Sequence, residues 1–126
     1  CHVILRGGAD GPNYDAIHVQ KALAALRDAK LPARLMVDTS HGNSDKDHKR
    51  QPVVARDVVS QIAQGEGGII GLMLESFLAE GRQDLKDRRH LVYGQSITDA
   101  CMGWEMTVPV LRDLAAAARA RRKARR

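Results

Sequence analysis

Three short apolar runs, each followed by a segment of helical periodicity, constrain the fold of this chain more than any other feature. The runs occupy 2–5, 35–37 and 69–74, and each is almost continuously apolar. Continuous apolar runs are typical of strands that are covered on both faces, as in parallel sheets. The order strand, helix, strand, helix, strand, helix therefore predicts an α/β fold in which parallel strands are joined by right-handed helical crossovers.

The segments between the runs carry apolar residues three and four positions apart, which predicts helices. The first is expected to begin at Ala16 after the capping residue Asp15, the second to span about 52–63, and the last about 108–122. Their expected buried faces are Val19, Ala22, Leu23 and Leu26; Ala55, Val58, Val59 and Ile62; and Leu111, Leu114, Ala115 and Ala118. A further short helix is expected at 96–103, and the lone Trp104 is expected to pack.

Three βα units fit two architectures. A (β/α)₈ barrel has eight such units in about 250 residues, so these 126 residues match either a small open α/β domain or the last three units of a barrel. The chain begins with Cys1 directly beside an apolar run and not with Met, which we interpret as the mark of a fragment.

The net charge of +5 belongs to one end of the chain. Residues 119–126 hold six basic residues and no acid, which leaves 14 Lys and Arg against 15 Asp and Glu, a body of net charge −1. A basic segment suits the C-terminal end of a helix and stays solvated there, so we predict a charged helix end and no contact with nucleic acid.

Two other classes of protein are disfavoured. No apolar run approaches the roughly 18 residues that a membrane span requires, so no membrane contact is predicted. The two cysteines, Cys1 and Cys101, form no disulfide framework. We therefore expect a cytoplasmic protein.

Ligands of parallel α/β folds bind at the C-terminal ends of the strands, and polar residues follow each apolar run there. Arg6 follows the first run and is itself followed by Gly7 and Gly8. Its forked guanidinium donors suit a phosphate or a carboxylate ligand. Pairing of Arg6 with a carboxylate of the protein itself is an equal alternative.

His41, Glu75 and Asp99 each follow a different apolar element, so their side chains are candidates to converge on one site. One imidazole and two carboxylates suit a divalent ion such as Mn, Fe, Co or Zn. Their spacing of 34 and 24 residues is no local motif, and a structural, hydrogen-bonded role for His41 stays open. Asp38 is expected to order its loop by accepting backbone N–H groups. The remaining histidines are expected at solvated surface positions: His2, His18, His48 and His90.

The same stretches resemble the type I 3-deoxy-D-arabino-heptulosonate 7-phosphate (DAHP) synthases. The likeness runs in order along nearly the whole chain. It is carried by Cys-His-Val-Ile-Leu-Arg-Gly-Gly at 1–8, Pro-Asn-Tyr at 12–14, Asp-Thr-Ser-His-Gly-Asn-Ser at 38–44, Glu-Ser at 75–76 and Gly-Gln-Ser-Ile-Thr-Asp-Ala-Cys at 94–101.

The resemblance implies an enzyme that condenses phosphoenolpyruvate with D-erythrose 4-phosphate to give DAHP and phosphate, the first step of aromatic amino-acid synthesis. It implies a divalent metal held by Cys, His, Glu and Asp, of which His41, Glu75 and Asp99 match the last three. The metal is implied to polarise the aldehyde carbonyl as a Lewis acid. Arg6 matches an arginine that holds phosphoenolpyruvate, and His41 and Asp99 are also candidates for proton handling. A homo-oligomer is expected.

The resemblance also implies that residues 1–126 form the C-terminal three βα units of a single TIM-barrel domain whose upstream units are missing. The family's metal-binding Cys and its Lys-Pro-Arg-Thr loop for erythrose 4-phosphate lie upstream, and neither Cys1 nor Cys101 replaces that Cys. Thr39, Gly42 and Phe77 stand where the family has Phe, Ala and His. We therefore expect the isolated chain to be inactive and poorly soluble or self-associated. The alternative is a non-catalytic α/β binding or assembly module.

Overall fold

A computed structural model describes residues 2–124. Three strands alternate with three helices in the predicted order. They are β1 (Val3–Leu5), α1 (Ala16–Asp28), β2 (Leu35–Asp38), α2 (Gln51–Ala63), β3 (Ile69–Met73) and α3 (Trp104–Ala124). Short 3₁₀ turns lie at His41–Asn43 and Arg88–His90. Within the described residues, no helix is long and apolar enough to cross a membrane.

The three strands form one parallel sheet in the order β1-β2-β3. Leu5 lies opposite Val37, and Val37 lies opposite Leu72, so one row of side chains crosses the whole sheet. This row packs with the helices around one core, whose fully buried members are Val19, Leu23, Leu35, Val37, Val58, Ile62, Ile69 and Ala117. The prediction of parallel strands alternating with helices is confirmed.

The opposite face of the sheet differs from the prediction that the strands are covered on both sides. Ile4 is 38% exposed and Ile70 is 49% exposed, whereas in the row that faces the helices Val37 is buried and Leu5 and Leu72 are partly buried. The apolar runs are continuous in sequence, but among the described residues the helices pack on only one of the two faces. Half-exposed apolar side chains on the other face are consistent with the expected self-association.

Helix α1 begins at Ala16, as predicted, because Asp15 caps it. The Asp15 carboxylate accepts the backbone N–H groups of Ile17 at 2.9 Å and His18 at 3.1 Å. Val19 and Leu23 are buried, and Ala22 and Leu26 are partly buried. Helix α2 buries Ala55, Val58 and Ile62 of its predicted face, leaves Val59 partly buried, and adds Gln51 and Val54 to the buried set.

The structure corrects the predicted last helix in its start and its buried face. Helix α3 starts at Trp104, four residues before the expected position, so Pro109 lies in its second turn. Thr107, Val110 and Ala117 face inward, whereas Leu111 is 45% exposed and Ala115 is exposed. The predicted Leu114 and Ala118 are only partly buried.

Two predictions are wrong: the short helix at 96–103 and the packing of the Trp104 side chain. The segment bends at 97–99 and forms isolated bridges from Ser96 to Arg82, from Cys101 to Gly81 and from Met102 to Ser76. These backbone pairings compete with helical hydrogen bonds and prevail over them. The Trp104 side chain is 51% exposed.

The basic end of α3 is not wholly solvated, which corrects the prediction for the tail. Arg121 Nη1 donates to the carbonyl oxygens of Glu66 and Ile69, each at 2.9 Å. Arg121 therefore joins the end of α3 to the start of β3. Residues 125–126 of the predicted tail, like Cys1, lie outside the described residues.

Asp15→Ala is expected to lower the free energy of unfolding by about 1 kcal/mol at neutral pH, the usual value of an N-cap. Burial raises the pKa of Asp15, but hydrogen bonds from His18 and Ile17 outweigh it and leave this pKa below its ordinary value of 3.8. The contribution is therefore present above that value and is lost as the pH falls through the lowered pKa. Thermal unfolding from pH 7 to pH 2 checks this, since wild type and variant converge in acid. A constant gap at all pH values would contradict the assignment.

Candidate metal centre

The loops after the three strands meet at the C-terminal edge of the sheet, where the sequence predicted a site. Here β2 ends at Asp38 and the chain turns through His41–Asn43, β3 ends two residues before Glu75, and the bend that contains Asp99 lies between the bridges at Ser96 and Cys101. The loop after β1, which begins with Arg6, lies at the same edge because the strands are parallel.

His41, Glu75 and Asp99 are brought together. One ligand atom from each lies within 4.8 Å of the other two, and His41 Nε2 is 3.5 Å from Glu75 Oε1. We call these three residues the ligand cluster. Asp99 is exposed, whereas His41 and Glu75 are partly buried. The predicted convergence of the three side chains is thus present in the structure.

Asp38 holds the ring of His41 in place. Asp38 Oδ2 lies 2.7 Å from His41 Nδ1, and Asp38 Oδ1 accepts the Ser40 backbone N–H at 2.9 Å. The loop-ordering role expected of Asp38 is thus present. Its contact with Nδ1 also leaves Nε2 free to face Glu75, the arrangement by which carboxylates orient metal-binding histidines.

The electrostatics of the cluster favour a cation. The pKa of Glu75 is raised above its ordinary value. Burial is the largest cause, and the carboxyl groups of Asp99 and Asp38 raise it further, whereas His41 and Arg6 lower it. Three carboxyl groups therefore converge with one arginine near them. One imidazole nitrogen and two carboxylate oxygens at such distances fit a divalent ion, so the side chains present suit a metal.

Arg6 is exposed, and among residues 2–124 it makes no salt bridge and no side-chain hydrogen bond. No contact in the described part of the chain therefore supports the alternative, a tight pair between Arg6 and a carboxylate of the protein. The guanidinium still lies close enough to the cluster to lower the pKa of Glu75. Its donors remain available to an anionic ligand.

A buried asparagine fastens the loops around the cluster. Asn43 is fully buried and donates to the carbonyl oxygens of Leu5 at 3.1 Å and Asp38 at 2.7 Å. It also accepts the Asn13 backbone N–H at 2.8 Å, while Asn13 accepts the Gly7 N–H at 2.8 Å. The loop after β1 and the loop after β2 are thus one hydrogen-bonded unit, which the sequence alone did not reveal.

The other titratable candidates lie away from the cluster or do not suit it. Burial raises the pKa of the Cys101 thiol; a Ser96 hydrogen bond lowers it, and Glu75 and Asp99 raise it. In the absence of a metal, the net shift favours the neutral thiol. His2, His18 and His90 are exposed, as predicted. His48 is not solvated as expected: its Nε2 is buried without a hydrogen bond, 3.7 Å from Glu80 Oε2.

An imidazole and two carboxylates that converge at the strand ends of a parallel α/β sheet form a donor set that suits a divalent metal. The chain belongs to the DAHP synthetase I family, whose sequence model matches residues 1–112.

Curated relatives and a solved structure agree with this assignment. The chain is 55% identical over 122 residues to the Phe-sensitive phospho-2-dehydro-3-deoxyheptonate aldolase of Escherichia coli K12, covering 97% of this chain and 35% of the relative. It is 53% identical over 127 residues to the tyrosine-inhibited enzyme of that name from Schizosaccharomyces pombe, covering 96% and 34%. The phospho-2-dehydro-3-deoxyheptonate aldolase structure from Francisella tularensis SCHU S4 matches with a TM-score of 0.91 at 47% identity, covering 95% of this chain and 35% of that one. The chain thus spans about a third of these relatives.

Proposed function

We propose that the protein carrying this chain condenses phosphoenolpyruvate with D-erythrose 4-phosphate to give DAHP and phosphate. The observation that carries the proposal is the convergence of His41, Glu75 and Asp99 within 4.8 Å at the ligand-binding edge of the sheet. It is supported by more than 50% identity to enzymes named phospho-2-dehydro-3-deoxyheptonate aldolase. The cytoplasmic location is part of this proposal.

The ligand cluster would hold a divalent ion of the Mn, Fe, Co or Zn type. When bound, such an ion supplies Lewis-acid polarisation of the aldehyde carbonyl. Asp38 fixes the orientation of His41, so that Nε2 points to Glu75 before any ligand arrives. The expected fourth ligand, a Cys, belongs to a part of the protein outside these 126 residues.

Arg6 would bind phosphoenolpyruvate. Its forked donors match the geometry of a carboxylate or phosphate, and no protein carboxylate within the described residues occupies them. The adjacent Gly7 keeps the loop close to the chain after β2, because its Cα lies against Gly42. Arg6 and the ligand cluster are therefore held at neighbouring positions of the same edge.

The reaction balances without a further reactant. Carbon 3 of phosphoenolpyruvate forms the new bond to the aldehyde carbon of erythrose 4-phosphate, and the aldehyde oxygen takes up a proton. Water adds to carbon 2 of phosphoenolpyruvate, and the bond between carbon 2 and the phosphate oxygen breaks to release phosphate. His41 and Asp99 are the groups proposed to move protons. The upstream part of the barrel, with the loop for erythrose 4-phosphate, and assembly as a homo-oligomer complete the proposal.

Removal of the metal tests the proposal. The protein as it is naturally produced is dialysed against a chelator, and DAHP and phosphate formation from the two substrates is measured. We expect activity to fall more than tenfold and to return on addition of Mn²⁺. No DAHP from the untreated protein, or unchanged turnover after the metal has been shown to be removed, would contradict it. The 126-residue chain alone is expected to be inactive.

A further inference from the structure

The hydrogen bonds between β2 and β3 end before they reach the backbone of Glu75. The last strand hydrogen bond between β2 and β3 is donated by the Thr39 N–H to the Met73 carbonyl oxygen at 3.0 Å. Beyond this point the chain after β2 turns away into the His41–Asn43 turn. The N–H of Glu75, two residues past Met73, therefore has no strand partner on that side.

The side chain of Gln51 takes the place of the missing strand. Its Oε1 accepts the Glu75 N–H at 3.0 Å, and its Nε2 donates to the Glu75 carbonyl oxygen at 3.2 Å. The amide thus binds both backbone groups of one residue, as the opposite residue of a hydrogen-bonded pair does in an antiparallel sheet. Gln51 is only 1% exposed, so water does not compete for these groups.

Gln51 also connects the other parts of the site. Thr39, the residue directly after β2, donates its Oγ1 hydrogen to Gln51 Oε1 at 3.3 Å. The amide of Gln51 is therefore also bonded to the end of β2. The Glu75 carbonyl oxygen accepts a second hydrogen bond, from the Met102 N–H at 2.9 Å, and Met102 lies three residues after Asp99. One buried amide at the start of α2 therefore bonds to the backbone of Glu75, and the Glu75 carbonyl oxygen that it contacts also accepts the N–H of the segment that carries Asp99.

From these contacts we propose that Gln51 is a positioning residue that sets the Glu75 carboxylate, and through Met102 the Asp99 segment, at metal-binding distance. This inference rests on the proposed metal function. A buried amide needs partners for both its oxygen and its NH2 group, and here both needs are met by the backbone of one ligand residue. Loss of such outer contacts typically lowers metal affinity 10–100-fold.

The matched control lies on the same helix. Gln61 Nε2 donates to the Tyr14 carbonyl oxygen at 2.9 Å and to Asp57 at 2.7 Å, but Gln61 touches no residue of the ligand cluster. Gln51→Met and Gln61→Met each remove an amide that bonds to backbone and keep the approximate volume. Both are therefore expected to lower the Tm, and only the first is expected to change metal binding.

The experiment is calorimetric titration of Mn²⁺, without substrates, into the metal-free protein as it is naturally produced. We expect Gln51→Met to weaken Mn²⁺ binding at least tenfold and Gln61→Met to leave it within twofold of wild type. Gln51→Asn, which is one methylene too short to span both backbone groups, is expected to fold and to weaken binding to a lesser degree. It provides the test if Gln51→Met does not fold.

The outcomes separate this inference from the proposed function. Mn²⁺ affinity within twofold of wild type in the folded Gln51 variants would overturn the positioning role and leave the metal site standing. A wild-type protein that binds neither Mn²⁺ nor another divalent ion of its class would overturn the site itself, and the inference with it.

Discussion

Gly7→Ala is expected to lower the free energy of unfolding by about 2–4 kcal/mol, from a left-handed backbone and an overpacked contact that each cost about 1–3 kcal/mol. Gly7 has a φ of +79°, and a Cβ at this position would lie 2.5 Å from the Gly42 carbonyl carbon. Backbone, unlike the end of a side chain, cannot rotate away. The loops after β1 and β2 must therefore separate, and chemical denaturation measures the loss.

The neighbouring glycine is the control for this prediction. A Cβ at Gly8 would meet nothing within 4 Å, so Gly8→Ala is expected to change the free energy of unfolding by less than about 0.5 kcal/mol. Equal stabilities for the two variants would show that the close approach of Gly7 to Gly42 does not exist in solution. A loss confined to Gly7→Ala would instead support the joined loops on which the site depends.

The order of strands and helices could be predicted because it depends on local sequence patterns. Apolar runs and periodic apolar faces depend on residues a few positions apart, and α1 shows how well this works, with its start fixed by Asp15. Helix α3 shows the limit. Its buried face is set partly by Thr107, whose hydroxyl contacts Ser76 at 2.5 Å. A partner 31 positions away leaves no trace in the local pattern.

The three residues of the ligand cluster could be proposed from sequence because each follows a separate apolar element. Parallel strands bring their C-terminal ends to one edge, which places His41 after β2 and Glu75 after β3. Asp99 follows no strand of the described sheet, and isolated bridges at Ser96, Cys101 and Met102 hold its segment. The residues that hold the cluster could not be found in this way. Gln51 and Asn43 act through hydrogen bonds to backbone groups that are distant in sequence, and neither their spacing nor their type marks them as special.

Three of the four Asp-x-x-His sequences in the chain form a close pair and illustrate the same limit. His18, His41 and His90 each place Nδ1 within 3.0 Å of an aspartate three residues earlier. The local chemistry of the three pairs is the same. Only His41 follows a strand of the sheet, and it is the one whose Nε2 faces a second carboxylate, that of Glu75. Position in the fold thus separates a candidate ligand from a surface pair.

This comparison supplies the sharpest test of the proposed metal ligand. His41→Asn is expected to reduce Mn²⁺ affinity by more than the roughly 100-fold that outer-shell changes cost, and to abolish DAHP formation. Asparagine is chosen because His41 has a φ of +48°, a conformation that asparagine tolerates better than most residues. The matched control is His18→Asn, which removes the equivalent imidazole from an exposed pair and is expected to leave both affinity and turnover unchanged.

Thermal unfolding of the two variants shows whether either effect arises from misfolding. His18 contacts no residue of the ligand cluster and is exposed on α1, so its replacement is expected to have a small effect on the Tm. If His41→Asn keeps a near wild-type Tm and binds Mn²⁺ as wild type does, His41 is a structural histidine held by Asp38, the alternative that the sequence left open. If Mn²⁺ affinity is lost while the Tm is kept, His41 is a metal ligand and the Asp38 contact at Nδ1 orients its Nε2 toward the metal. Of the pairs that share this Asp-x-x-His geometry, only the one at the end of β2 then takes part in metal binding.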